Sequence, residues 1–187
     1  MDHELLIMRN PLQITRNWVE SVVIDLNLCP FAARELNANR VHFSLSEANT
    51  DAQLLDDLHR ELLELDQNSS IETTLLIHPE VLQEFADYNQ FLDLADALLQ
   101  QMNFEGIYQI ASFHPEYQFS DTVADEVSNY TNRSSYPMLH LIREKSLEKA
   151  VAAYPDAEQI PVRNIDLLEQ MGKAKVLALW HTYFASP

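Results

Sequence analysis

The sequence predicts a single-domain α/β sandwich in which a three- or four-stranded, largely parallel or mixed sheet is covered by amphipathic helices. Short runs of alternating apolar residues recur at Val41–Leu45, Ile71–Ile77 and Ile107–Phe113, and stretches of helical apolar spacing separate them. Strand, helix, strand, helix, strand is the pattern of a sheet with parallel neighbours. A chain of 187 residues suits one domain, so residues 11–187 read as one unit behind a lead-in at 1–10.

The first helix is expected over Pro11–Leu28, where Ile14, Trp18, Val22 and Leu26 recur every fourth residue and Val19 and Val23 widen the stripe. A short helix should begin at Pro30, since proline suits the first helical position, with Cys29 as its cap. Leu54, Leu55, Leu58, Leu62 and Leu65 mark the helix after the first strand. Val81, Leu82, Phe85, Phe91, Leu92, Leu94, Ala95, Leu98 and Leu99 mark the next, expected to start at Pro79. From His114 to Tyr136 the chain is polar and long for an irregular segment. A short helix around Val123–Asn129 is expected within it, started by Thr122 with Asp125 three residues on. Met138–Ile142 reads as a fourth strand, Leu147–Tyr154 as a helix and Ile165–Tyr183 as a final helix.

Composition narrows the function classes. Twelve basic and twenty-nine acidic residues give a net charge of −17, which repels phosphate backbones and anionic lipid, so neither nucleic acid nor a membrane is an expected partner. Residues 1–110 hold nineteen acids and five arginines, and the rest hold ten acids and seven bases, so an anion site would draw on the second part. Acids at the start where a secretory signal needs positive charge, and no long apolar run, predict a cytoplasmic protein. One cysteine, Cys29, permits no internal disulfide and no CxxC pair. Two glycines cannot build a phosphate-wrapping loop, and Walker A and GxGxxG are absent.

Two expected strands end in His–Pro: His78–Pro79 and His114–Pro115. Were those strands parallel, both histidines would stand at the carboxyl edge of the sheet, where open α/β sheets bind ligands. The competing reading makes each a turn or helix-entry residue. His114 has Glu116 and Tyr117 close by in sequence, which could orient a general acid or base, while Phe113, Tyr117 and Phe119 could equally latch the long segment. Cys29 could be a nucleophile. The preceding helix end raises its pKa, the Pro30 helix start lowers it, and the second is expected to decide. A packed, inert thiol is the alternative. Arg34, Arg133 and Arg143, with Asn132 and Ser134, offer donors that could hold a carboxylate or phosphate, or could serve salt bridges. His140 lies mid-strand, as a core histidine or a ligand contact. No histidine pair has helix spacing and no HExxH or Cys/His finger occurs, so no metal and no cofactor is predicted; a mononuclear site from Cys29, His114 and His140 is the remote exception.

The strings WVE at Trp18–Glu20, NLCPFA at Asn27–Ala32, FADYN at Phe85–Asn89, ASFHPEYQF at Ala111–Phe119 and NYTNRSSYPMLHL at Asn129–Leu141 together resemble an uncharacterised bacterial family, the one numbered 1415 among the domains of unknown function. The resemblance spans about residues 11–182 and implies a single conserved domain, without an activity or site residues to carry over. The residues themselves point to a small-molecule enzyme or ligand-binding protein acting on an anionic ligand at the carboxyl ends of the strands, with His114 as acid or base and Arg133 and Arg143 as the grip. The rival is a non-catalytic interaction module whose acidic helices contact a partner.

Overall fold

A computed structural model describes residues 10–183; the expected lead-in before Asn10 and the last four residues lie outside that range. The chain forms α1 (Pro11–Trp18), continued as a π-helical segment over Val19–Ile24, then α2 (Ala32–Asn37), β1 (Val41–Leu45), α3 (Asp51–Gln67), β2 (Thr73–Ile77), α4 (Phe85–Gln101), β3 (Tyr108–Phe113), β4 (Met138–Arg143), α5 (Glu144–Ala152), α6 (Ile160–Met171) and α7 (Lys173–Tyr183). The sheet order is β1-β2-β4-β3, with β1 and β2 parallel and β4 antiparallel to both of its neighbours. It is therefore a four-stranded mixed sheet in which β1, β2 and β3 run the same way.

Alternation sends Leu76, Leu139, Leu141 and Tyr108 to one face, where they pack on Leu54, Leu58 and Leu62 of α3 and Phe91, Ala95 and Leu99 of α4. The opposite face carries Leu75, Ile77 and Met138, packed with Trp18, Val22 and Leu36, and with Leu168, Val176 and Trp180 of α6 and α7. The expected helical and strand stripes thus fill two cores on either side of one sheet.

The helix expected from Pro30 under a Cys29 cap starts at Ala32 with Phe31 at its N-cap, that expected over Leu147–Tyr154 runs over Glu144–Ala152, and the final helical run starts at Ile160 rather than Ile165. Four further differences have a local reason. The first helix widens after Trp18 into i→i+5 bonding, seen in Asp25 N–H to Glu20 O (3.1 Å) and Leu28 N–H to Val23 O (2.9 Å), and left-handed Asn27 (φ 53°) ends it. The helix expected from Pro79 starts only at Phe85, because Leu82 is left-handed (φ 57°) and Glu84 is extended. The final helix is two: Gly172 (φ 79°) takes a conformation that a side chain resists and separates α6 from α7. No α-helix forms at Val123–Asn129. The Thr122 hydroxyl is shared between Phe119 O (2.9 Å) and Asn129 Oδ1 (2.7 Å), while Asn129 Nδ2 donates to Val123 O (2.8 Å). Side-chain bonds thus replace helical ones, and a 3-10 turn follows at Val127–Thr131. Among the described residues no helix is long and apolar enough to cross a membrane.

Candidate functional site

His78 and His114 follow the carboxyl ends of β2 and β3, on either side of the β4 start, and both rings are fully buried. His114 Nε2 donates to Leu82 O (3.1 Å), so its Nδ1 accepts from Glu116 N–H (3.0 Å), and burial lowers its pKa. His78 Nδ1 donates to Val81 O (3.0 Å), and burial takes its pKa down to about 4. Tyr88 lies against both rings, and its hydroxyl receives Phe113 N–H (3.0 Å) and donates to Met138 O (2.8 Å). These are the bonds that tie the β2, β3 and β4 ends to α4. They leave His114 neutral and hydrogen-bonded at both nitrogens, a poor starting point for acid–base work.

The donors expected to grip an anion are likewise occupied. Arg133 donates to Tyr117 O (3.1 Å) and Ala124 O (2.8 Å) and lies over the Tyr130 ring (4.4 Å). Asn132 donates to Ser112 O and Ser134 to Tyr136 O. Tyr117 stacks against Phe85 and Phe119, so the aromatics of the long segment form the latch. Arg143 donates to Ile71 O, the Tyr108 hydroxyl, Leu65 O and Asn68 O, closing the carboxyl end of α3 with positive charge. Arg34 projects into solvent beside Glu35 (3.6 Å).

Cys29 and His140 come together elsewhere, on the wall of a cavity of about 310 Å³. Its floor is the sheet face of Leu75, Ala111, Phe113, His140 and Ile142. Trp18, Val19 and Val23 of the widened helix form one side, Phe31, Ala32 and Glu35 of α2 another, and Leu147 and Ala150 of α5 the third. His140 and Ile142 sit mid-sheet in β4 yet keep partial accessibility, which the cavity supplies. A larger recess of about 420 Å³ beside α4 is walled mainly by exposed side chains such as Asp51, Glu84 and Asp87 and lacks an enclosed apolar surface. The sheet-face cavity is the better candidate, since ligand sites are concave and mostly apolar with few polar groups.

The polar groups there are few and specific. Burial lowers the His140 pKa to about 4, so the ring is neutral. Its Nε2 lies 2.7 Å from Thr73 Oγ1, which itself lies 2.6 Å from Leu141 O. Glu35 and Glu72 are bridged by Arg40 (2.5 and 3.2 Å). Burial raises the Cys29 pKa, although the Phe31 and Ala32 amides pull it down. The helix start therefore does not decide, because the desolvation cost of the thiolate exceeds what two amides return. Alkylation of native Cys29 by iodoacetamide is expected to be slower than that of a free thiol, with a midpoint above 9.0. A midpoint below that value would mark an activated thiolate. Among the described residues no three metal-ligating side chains cluster.

Sequence reasoning missed Thr73 and the walls from α2 and α5. Alternation places Thr73 on the Leu75 face, but its meeting with His140 depends on the β2–β4 pairing, which local pattern does not encode. Neither a curated protein nor a solved structure matches the chain. A family model described as "Protein of unknown function (DUF1415)" matches residues 10–178, and the chain belongs to that family.

Proposed function

We propose that this protein binds a small, largely apolar molecule in the sheet-face cavity. The observation that carries the reading is the concave apolar lining: about 310 Å³ walled mainly by aromatic and aliphatic side chains from the sheet, α1, α2 and α5. A concave apolar surface of this size gains dispersion contacts and sheds water when a ligand covers it, and such pockets begin at about 300 Å³. An anionic ligand at the strand ends has less support, because Arg133 and Arg143 spend their donors on carbonyl oxygens. Naphthalene is a suitable probe by size. Equilibrium dialysis is expected to show it bound to the native chain, and Ala111→Phe, which fills the floor, to weaken binding at least about tenfold while the protein stays folded by circular dichroism. Equal binding by the two proteins would overturn the reading.

A further inference from the structure

We propose that the cavity selects uncharged, largely apolar molecules that present a hydrogen-bond donor, and that His140 Nδ1 is the atom that receives it. This rests on the cavity being a ligand site and adds the chemistry of what it selects.

The selectivity follows from counting protons. The Thr73 hydroxyl has one proton, and Leu141 O lies 2.6 Å from its oxygen, so that proton is directed to the carbonyl. Thr73 Oγ1 then meets His140 Nε2, at 2.7 Å, as an acceptor. The Nε2 position therefore carries the hydrogen. A neutral imidazole has only one, which leaves Nδ1 as a bare lone pair. Among the described residues Nδ1 has no hydrogen-bond partner. The ring stands between Leu75 and Ala111 on the sheet, both of which line the cavity, so the site's deep polar group lies in its floor.

An acceptor fixed in this way discriminates among ligands. A phenol, alcohol or heteroaromatic N–H completes the bond. A ketone or ether sets lone pair against lone pair, and the bare hydrocarbon leaves Nδ1 unbonded. A carboxylate is worse: the Arg143 side chain turns to the opposite sheet face and is committed to backbone carbonyls there, and Glu35 and Glu72 share only Arg40, so the anion would lose hydration without a partner. The volume, about twice the ~150 Å³ that encloses benzene, admits a fused two-ring body.

The test compares naphthol, naphthalene, acetonaphthone and naphthoate at neutral pH by equilibrium dialysis against the full chain. Naphthol is expected to bind about three- to tenfold more tightly than naphthalene, the range of one net hydrogen bond, with acetonaphthone and naphthoate weaker than naphthalene. Thr73→Val removes the acceptor that pins the proton on Nε2, so the ring can carry it on Nδ1. In that variant the preference for naphthol over acetonaphthone is expected to fall at least about threefold. Naphthol and naphthalene binding equally would overturn the donor inference while the ligand site stands. Tighter binding of naphthoate or acetonaphthone would overturn it too, and failure of all four would overturn both.

Discussion

Acidification is expected to remove on the order of 3 kcal/mol of folding stability for each of His78 and His140. Burial holds both rings at a pKa of about 4, against 6.5 for an ordinary histidine. Between those values the unfolded chain takes up two protons that the folded chain refuses. The contribution is therefore fully present above pH 6.5 and is lost as pH falls through about 4. His114, also lowered by burial, adds in the same direction. His42 runs the other way: its bond to Glu61 raises its pKa, so its contribution is present below pH 6.5 and lost as pH rises through the raised value. Urea unfolding between pH 7 and 4 measures the sum, at about 1.4 kcal/mol per proton and pH unit. His140→Gln should lower the slope by about one proton. A slope unchanged in that variant would show that His140 titrates alike in the folded and the unfolded chain, so that burial does not lower its pKa.

The second large effect is expected at Arg143. Replacing it by methionine should cost about 3 kcal/mol, because the Leu65, Asn68 and Ile71 carbonyls and the Tyr108 hydroxyl lose a charged donor together. Lysine keeps the charge but not the planar fork, so Arg143→Lys should recover less than half of the loss. Urea unfolding at neutral pH checks both. A variant as stable as the native chain would return Arg143 to the ligand-gripping role that its scarcity in an acidic sequence suggests.

What was legible in the sequence and what was not divides along range. Alternation at Val41–Leu45 and the leucine spacing of α3 depend on neighbours within a turn or a pleat, and both elements stand close to where the pattern puts them. The insertion of β4 between β2 and β3 depends on pairs from Phe113 with Met138 to Thr73 with Ile142, far apart in the chain, and no local period records it. The same holds for chemistry. The placement of His78 and His114 after their strands could be read, but not that Val81, Leu82 and Glu116 backbone groups would bond their rings. His140 gave only the signal of a polar residue within an apolar strand. Its importance comes from Thr73 across the ladder and from three helices that stop short of closing over it.

The sheet order also sets a schedule for synthesis. β4 is the last strand to leave the ribosome, yet it is the one that joins β2 to β3. Until Arg143 has emerged, nothing covers the inner edge of β2 in a β1–β2 ribbon, and β3 stands alone. The β2 edge carries amides and carbonyls that only β4 will pair. Completion of the sheet during synthesis therefore waits for the chain beyond the long polar segment.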